Sequence, residues 1–413
     1  MDGQDRCQRV GDDARLDGEG ALSRSTAGWS ALPPPGPALR AVVVLPARNE
    51  AAHLPASLAA LAAQVGCDGR PLDRSSFEVL LLANNCDDAT AAVARCFAAS
   101  QRGFGLHVVE ASLPPAQANI GYVRRQLMDQ AATRLEAIGR PAAAIASTDA
   151  DTRVAPDWLA ATWRELDLGS DAVGGRILTD NCEHTSPAAL RIQRVDAAHA
   201  LLRSRLASLV DPQPFDPWPR HHQHFGASLA VTARAYRLAG GVPDVPFLED
   251  EALIRALERV DLRVRHSPLV RVVTSSRTDG RAAVGLSWQL RQWAQAAPHH
   301  HDPLVGDPRC HAEALSVRAA LRRAWERHGA ALLRHLPDDL DARLRLPPGT
   351  IGRVARASPA FGALWQHLDA QRLAASAEAL PLMRTSQALV VLRSLIRRQQ
   401  TASAQGDSNT SMR

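Results

Sequence analysis

The chain has 413 residues, of which 46% are hydrophobic and only 4% are aromatic, and its formal net charge is +5 at pH 7. This length can bury one large domain, or a catalytic domain with a smaller appendage. The sequence has neither a block of basic residues nor basic residues interleaved with aromatic ones, so it gives no support to nucleic-acid binding. Anionic small molecules are the partners that we expect.

The location of the protein follows from what its apolar segments lack. No apolar run reaches the roughly 20 residues that a membrane-spanning helix needs. The amino terminus carries charged residues where a signal peptide would have its apolar core. We therefore expect a cytoplasmic protein. The six cysteines show no C-x-x-C spacing, which predicts reduced, structural cysteines.

Residues 1–38 are polar and end in a proline-rich stretch, a composition that cannot bury enough apolar surface to become ordered. From residue 39, short apolar runs alternate with helical patterns. The predicted strands of this part are 40–46, 77–83, 106–109 and 141–146, and the predicted helices are 50–64, 89–100 and 116–139. This alternation predicts an α/β fold with a mostly parallel sheet flanked by helices.

The second half of the chain continues the alternation and then becomes helical. The predicted strands are 172–177, 225–231, 264–266 and 269–273, and the predicted helices are 187–210, 233–238 and one that begins near residue 247. We divide the chain into a disordered leader (1–38), an α/β catalytic domain (39–298), a helical extension (299–400) and a disordered tail (401–413).

The most informative motif is a pair of carboxylates, Asp149 and Asp151, at the end of the fourth predicted strand. Ligands bind at this carboxyl edge in open α/β sheets. Two acidic side chains there would repel an anionic substrate unless a divalent cation stood between them, and carboxylate oxygens suit Mg²⁺ or Mn²⁺. The pair therefore predicts a metal with a phosphate behind it, although such a pair also occurs in solvated turns.

Three further motifs accompany this pair in a fixed order along the chain. The four are Pro46-Ala47-Arg48-Asn49-Glu50, Asn84-Asn85-Cys86-Asp87-Asp88, Asp149-Ala150-Asp151 and Leu248-Glu249-Asp250. Together with a Gly-Gly turn at 240–241, this order resembles the family 2 glycosyltransferases of the GT-A fold, over roughly residues 40–293. The resemblance implies a nucleotide-diphospho-sugar transferase-like α/β domain at 39–298 and a metal-assisted, inverting transfer of a hexosyl group from a nucleotide-sugar donor to a hydroxyl acceptor.

The resemblance also implies roles for the residues that match the donor-binding motifs. Pro46, Asn49 and Glu50 would contact the nucleotide. Asn84 and Asn85 stand where the family usually carries an aspartate that reads the base, which leaves uridine, guanosine and thymidine open, because an amide both donates and accepts hydrogen bonds.

Three more elements complete the implied donor site. Asn119, in Ala118-Asn119-Ile120-Gly121, would contact the nucleotide, although a residue on a helix surface needs no such role. Asp149 would face the ribose, and Asp151 would hold the divalent metal that bridges the pyrophosphate. Arg277 and Arg281, which follow the last predicted strand, could clamp the pyrophosphate.

Catalysis is assigned by the same resemblance to the Glu-Asp motif. An inverting displacement needs one general base opposite the leaving group. Asp250 matches that base, with Glu249 beside it, although acids at a helix start are also favoured by the helix dipole. His224 and Gly226 precede a predicted strand that borders the acceptor site in this family. The clusters 221–224 and 299–301 are otherwise interpreted as solvated loops.

Alternative functions remain open from the sequence. A nucleotidyltransferase would share the sheet and the metal, but it would require a Gly-rich phosphate loop that 46–50 does not contain. A degenerate member would bind a nucleotide or a partner without turnover. The carboxy-terminal helices would pack on the catalytic domain or a second subunit, or the basic segment 389–398 could rest on an anionic membrane surface.

Overall fold

The computed structural model describes residues 28–180, 186–277, 280, 284–296, 302–329, 339–376 and 381–410. The chain divides into two compact units. The α/β unit contains Ala27–Thr185 and Pro214–Gln292, and the helical unit contains Ser186–Gln213 and the chain from Trp293. The boundaries 39–298 and 299–400 stay a prediction, since the helical unit also takes residues from the middle of the expected catalytic domain.

Strands and helices alternate along the α/β unit, whereas helices dominate the helical unit. The strands are β1 (Ala41–Ala47), β2 (Phe77–Asn84), β3 (Gly105–Ala111), β4 (Ala144–Ser147), β5 (Thr152–Val154), β6 (Ala172–Thr179), β7 (Leu229–Thr232), β8 (Val264–Thr274), β9 (Leu304–Gly306) and β10 (Leu382–Arg384). The helices are α1 (Leu54–Ala62), α2 (Thr90–Ser100), α3 (Ile120–Ala137), α4 (Trp158–Asp167), α5 (Pro187–Val210), α6 (Ala233–Leu238), α7 (Glu249–Arg259), α8 (Leu286–Ala296), α9 (Pro308–His328), α10 (Leu340–Arg343), α11 (Thr350–Ala357), α12 (Phe361–Ser376) and α13 (Thr385–Thr410).

An eight-stranded sheet forms the centre of the α/β unit, in the order β3-β2-β1-β4-β7-β6-β8-β5. The strands β3, β2, β1 and β4 run parallel, as do β6 and β8, whereas β7 and β5 run antiparallel to their neighbours. Every residue of β1 and β2 is buried, as expected for central strands that are covered on both faces. The predicted α/β fold with a mostly parallel sheet and a helical carboxy-terminal region is confirmed.

Each face of the sheet has its own core, because successive side chains of a strand point to opposite faces. Val43 and Leu45 of β1 pack with residues of α1, α2 and α4, among them Trp158. Val42 and Val44 pack on the other face with residues of α3, α6 and α7. The sheet is thus enclosed between two layers of helices, and the loops that follow its parallel strands are left at one edge.

The expected flexible leader differs from the structure where its residues are described. Trp29 and Leu32 pack against the core on the α3 face of the sheet. Arg134 Nη1 donates a hydrogen bond to the carbonyl oxygen of Pro33 at 2.9 Å. Composition alone missed this order because the apolar partners are supplied by residues distant in sequence. Residues 1–27 lie outside the described residues.

Other segments differ in detail from the predicted elements. The two strands expected at 264–266 and 269–273 form the single strand β8, and the strand expected at 225–231 starts with a 3₁₀ turn, Gly226–Ser228. The short strand β5 was not predicted, since three residues carry no periodicity. Helix α13 continues to Thr410, into the expected tail, because extending a formed helix costs little compared with starting one.

The helical unit buries the apolar face of α13, the helix that includes the basic segment 389–398. Leu392 and Ile396 pack with Leu206 of α5 and Leu315 of α9. These side chains are therefore engaged within the protein and are not presented to a bilayer. Within the described ranges, no helix combines the length and the apolarity that crossing a membrane requires.

Helix α3 begins in close contact with the loop that precedes α7, and this contact requires a glycine. A Cβ atom on Gly121 would lie 1.7 Å from the backbone oxygen of Val245. We expect Gly121→Ala to lower the free energy of unfolding by about 2–3 kcal/mol, because the two backbones must move apart. Gly36→Ala, whose Cβ would meet nothing within 4 Å, should change it by less than about 0.5 kcal/mol. Chemical denaturation measures both variants, and equal effects would contradict the close approach.

Candidate functional site

The loops after β1 and β2 are joined at one edge of the sheet. Asn49 Oδ1 accepts a hydrogen bond from the backbone N–H of Asp87 at 2.8 Å. The backbone N–H of Glu50 donates to Thr90 Oγ1 at 2.8 Å. Because β1, β2 and β4 are parallel, the loop with Asp149 and Asp151 leaves the sheet at the same edge. The structure thus brings three of the four sequence motifs together, as the order of strands predicts.

The guanidinium of Arg124, on α3, joins the two acidic motifs. Nη2 donates to Asp149 Oδ1 at 2.9 Å, and Nε donates to Glu249 Oε1 at 2.7 Å. Nη1 donates to Ser147 Oγ and to the carbonyl oxygen of Gly226 at 3.2 Å. The side chain is only 4% exposed. Burial lowers the pKa of Arg124, but the charges of Asp149 and Glu249 raise it by more. The residue therefore stays cationic.

Gly226 is a glycine because the Arg124 guanidinium lies against its backbone. A Cβ atom at this position would be 2.4 Å from Arg124 Cζ. The segment before β7 can therefore approach the arginine closely enough for its carbonyl oxygen to accept a hydrogen bond. Gly226 was predicted from the sequence as part of the acceptor region, but its contact with Arg124 was not.

Arg124 itself was missed by the sequence analysis, although the sequence holds a signal for it. The apolar stripe of α3 includes Val123, Leu127, Met128 and Ala131, and Arg124 lies within this buried face. A charged residue in such a stripe requires a buried partner of opposite charge. The sequence cannot say which carboxylates those partners are, since they lie 25 and 125 residues away.

A second arginine, Arg277, neutralises the other acidic residues of the site. Both terminal nitrogens of Arg277 donate to the Glu50 carboxylate, and Nη1 lies 2.9 Å from Oε2. Nη2 also lies 3.0 Å from Asp151 Oδ2. Burial and the charge of Asp149 raise the pKa of Asp151 to about 6, against the opposing effect of Arg277. Asp149 and Asp151 therefore lie near each other but are held by different arginines.

The acid pair fits a divalent cation whose coordination is completed by a substrate. No group of three or more His, Cys, Asp or Glu side chains in the described part of the chain is arranged to hold a metal ion. The protein would then supply one or two carboxylates, which is how Mg²⁺ is usually held together with substrate phosphates. Carboxylates outnumber cations there, since Glu50 and Asp151 share the single guanidinium of Arg277. This donor set suits Mg²⁺ or Mn²⁺ rather than a closed structural site.

Asp250 lies in the first turn of α7 and is fixed by backbone donors. Its Oδ2 accepts from the N–H of Gly226 at 2.7 Å, and its Oδ1 accepts from the N–H of Glu251 at 2.8 Å. Leu248, just before the helix, has a φ of 56°, a left-handed conformation that costs a non-glycine residue about 1–2 kcal/mol. Such strain persists where the surroundings hold a residue in place. The carboxylate is thereby oriented next to the cluster of Arg124, Asp149 and Glu249, which we call the Arg124 cluster.

The neighbouring residues His224 and Glu249 are also held by partners. Glu249 is 4% exposed and pairs with Arg124. Burial and the charge of Asp250 raise the pKa of Glu249, whereas Arg124 opposes this rise. His224 Nε2 lies 2.7 Å from Glu251 Oε2. All three residues expected near the acceptor, Glu249, His224 and Gly226, thus adjoin Asp250.

The amides expected to contact the nucleotide also serve the local structure. Asn85 has a φ of 47°, and its Nδ2 donates to the carbonyl oxygen of Leu113 at 2.9 Å. Asn119 caps α3, since its Oδ1 accepts from the N–H of Tyr122 at 2.9 Å. Pro46 and Asn84 are buried in β1 and β2. The contacts of these residues with a nucleotide stay a prediction. Arg281 and the cluster 299–301 lie outside the described residues.

Comparison with known proteins gives one family match and several distant structural likenesses. Residues 42–198 match glycosyl transferase family 2. No curated protein sequence matches the chain. The mannosyltransferase PcManGT from Pyrobaculum calidifontis, solved with GDP-Man and Mn²⁺, is 17% identical, with a TM-score of 0.42 and coverage of 91% of this chain and 88% of its own.

Two other solved structures are similar at the same low level. TarS 1-349 of S. aureus, solved with UDP, is 12% identical, with a TM-score of 0.39 and coverage of 84% of this chain and 96% of its own. Glucosyl-3-phosphoglycerate synthase from Mycobacterium tuberculosis, solved with Mn²⁺, UDP-glucose and phosphoglyceric acid, is 17% identical, with a TM-score of 0.35 and coverage of 64% and 82%.

The Arg124 cluster leads to a prediction about stability. Arg124→Met leaves Glu249 as an unpaired buried charge, so we expect the free energy of unfolding to fall by about 3–5 kcal/mol. Adding Glu249→Gln removes that charge and should recover at least half of the loss. Arg134, ten residues further along α3, forms a similar buried pair with Glu78, with Nη2 2.7 Å from Oε2. The matched pair Arg134→Met and Glu78→Gln calibrates the measurement by denaturant unfolding. Strictly additive effects of Arg124→Met and Glu249→Gln would contradict the pairing.

Proposed function

Because residues 42–198 match glycosyl transferase family 2, we propose that the protein transfers a hexosyl group from a nucleotide-diphosphate donor to a hydroxyl acceptor, with inversion at the transferred carbon. One observation supports this most directly. Arg124 binds both Asp149, of the acid pair, and Glu249, of the Glu-Asp motif. Residues about 100 positions apart in sequence are thereby bound to one guanidinium, which supports a site that combines a donor-binding group with a base.

The donor side of the site is built from carboxylates and Arg277. Asp151 would hold the divalent cation, Mg²⁺ or Mn²⁺, and Asp149, oriented by Arg124, would face the ribose. The bound cation would neutralise negative charge on the departing nucleoside diphosphate. Arg277 exchanges Glu50 and Asp151 for pyrophosphate oxygens, which a planar guanidinium matches in a two-pronged manner.

The acceptor side is built around Asp250. Its carboxylate takes the proton of the acceptor hydroxyl as the oxygen attacks the sugar, and a single displacement of this kind inverts the anomeric carbon. The two backbone N–H groups that bind Asp250 leave each oxygen with a further lone pair for this proton. Glu249, His224 and Gly226 form the wall of the acceptor region.

The first test is ligand-dependent stability, which reports donor binding without turnover. UDP, GDP or TDP at 100 times its dissociation constant should stabilise the protein by about 2.7 kcal/mol, and only when Mn²⁺ or Mg²⁺ is present. We expect Asp151→Asn to abolish the metal-dependent part of this gain, whereas Asp167→Asn, at an exposed ion pair with Arg40, should keep it. A thermal-shift screen measures both. Equal stabilisation with and without metal would contradict the assignment of Asp151.

The second test concerns the catalytic base. Asp250→Asn keeps the shape of the side chain but cannot accept the proton, so we expect turnover to fall by roughly 100-fold or more. Binding of the donor, measured by thermal shift, should change little. Release of nucleoside diphosphate from UDP-glucose, UDP-GlcNAc and GDP-mannose provides the assay. Unchanged release in Asp250→Asn would contradict the assignment of Asp250 as the base, whereas a wild type that binds the donor without releasing nucleoside diphosphate would favour a nucleotide-binding protein without turnover.

A further inference from the structure

Two histidines lie in line between two carboxylates beside Asp250. His224 Nδ1 is 3.0 Å from His266 Nε2. The outer nitrogen of each ring contacts an acid: His224 Nε2 is 2.7 Å from Glu251 Oε2, and His266 Nδ1 is 3.0 Å from Asp216 Oδ2. We call these four residues the histidine chain. It connects the loop before β7, the strand β8 and the helix α7.

The number of protons in the histidine chain follows from its three contacts. Both end groups are carboxylates, which only accept, so His266 Nδ1 and His224 Nε2 each carry a proton. The contact between the two rings needs one more proton, on either nitrogen. Three protons on two imidazoles are one more than two neutral rings hold. The pair therefore carries one positive charge, whichever ring has the shared proton.

The charged groups around the pair agree with this count. Asp216 is also held by Arg220 and Arg265, and Glu251 by Arg255. Burial raises the pKa of Glu251, but the hydrogen bond and the charge of His224 lower it to about 2. Burial lowers the pKa of His224, but Glu251, Glu258 and Asp250 on α7 leave it raised overall.

The nearby histidine of the same loop behaves differently. His221 Nε2 donates to the carbonyl oxygen of Ser267, with a separation of 3.0 Å, and its Nδ1 accepts from the N–H of Gln223. Burial first, then the charge of His266 and the proximity of His222 and Arg176, lower the pKa of His221 to about 3. His221 is therefore neutral, and the positive charge belongs to the pair of His224 and His266.

The histidine chain closes a ring around Asp250. Glu251 binds His224 through its side chain and donates its own backbone N–H to Asp250. Asp250 in turn accepts from Gly226, two residues after His224. The start of α7 and the segment before β7 are thus tied at two points, and the carboxylate of Asp250 lies between them. If the His224–Glu251 pair opens, one of the two ties is lost.

We propose that His224 and His266 are positioning residues for the transfer reaction. They hold the Asp250 carboxylate in place through one positive charge that the two rings share and that lies between the carboxylates of Asp216 and Glu251. This inference rests on the proposed function, because it gives the histidine chain the task of holding the base of that reaction. His224 and His266 do not touch the reacting atoms. Loss of the shared proton leaves two ring lone pairs facing each other, so the tie between His224 and Glu251 weakens as the pH rises through the raised pKa of His224.

The test compares two substitutions of His266 with a matched control. His266→Gln keeps all three contacts, since the amide donates to Asp216 and its oxygen accepts from His224. His266→Leu removes the contacts of this side chain with both His224 and Asp216. The control is His107→Leu: His107 is also 16% exposed and also pairs with a buried acid, Glu78, but it lies on β3.

In steady-state assays with UDP-glucose, UDP-GlcNAc and GDP-mannose in the presence of Mn²⁺, we expect His266→Leu to lower kcat at least tenfold with little change in the donor KM. His266→Gln should keep kcat within threefold of wild type, with a shifted basic limb of the pH–rate profile. His107→Leu should leave both constants unchanged. The proposal is overturned if His266→Leu and His266→Gln are equally impaired, or if His266→Leu matches His107→Leu.

A spectroscopic measurement separates failure of this inference from failure of the proposed function. Nitrogen-15 spectra of labelled histidine count the protons on each ring, and carbon-13 spectra report the Asp250 carboxyl group. We expect one positive charge on the pair at pH 7, and an Asp250 resonance that moves in His266→Leu but not in His266→Gln. Two neutral rings, or an Asp250 resonance that ignores both changes, overturn the positioning role even if wild type proves active. A wild type that releases no nucleoside diphosphate refutes the proposed function, and the spectra still decide the histidine chain.

Discussion

The buried guanidinium of Arg124 is the interaction on which the candidate site depends. It is almost fully removed from water, and it is stabilised by carboxylates from the loop after β4 and from the start of α7. A buried cation is tolerated only when it is paired and its donors are satisfied. Here each of the three guanidinium nitrogens donates to at least one acceptor. The same contacts require glycine at 226, and they therefore fix the segment that binds Asp250.

Charge balance explains how so many acids can share one edge of a sheet. Arg124 offsets Asp149 and Glu249, and Arg277 offsets Glu50 and Asp151. The compensation around Asp151 is incomplete, because Glu50 and Asp151 share the single positive charge of Arg277. A site with a residual excess of negative charge is prepared to take up a cation. Beside Asp250, the shared charge that we propose for His224 and His266 would have a comparable role, since the two rings lie between Asp216 and Glu251.

The sequence predicted the parts of this architecture that depend on local pattern. Alternating apolar runs gave the parallel core strands, and the acid pair after β4 was placed at the correct edge because all parallel strands end there. It did not predict the partners, since Arg124 meets Asp149 and Glu249 only through the tertiary fold. The position of Arg124 within the apolar stripe of α3 is a signal for a buried ion pair, but the sequence analysis missed it. Similarly, His221 was interpreted as part of a solvated loop, whereas it is buried, because its acceptor, the carbonyl oxygen of Ser267, lies on another element.

The central claim is that the acid pair and the Glu-Asp motif form one site for a metal-bound nucleoside diphosphate. Its most direct test is a crystal structure of the protein with Mn²⁺ and a nucleoside diphosphate, with the metal located by anomalous scattering. The account predicts a manganese peak at Asp151, Arg277 moved onto the pyrophosphate, and Arg124 still bound to both Asp149 and Glu249. A peak distant from Asp151, or an Arg124 that contacts only one of the two acids, would contradict it.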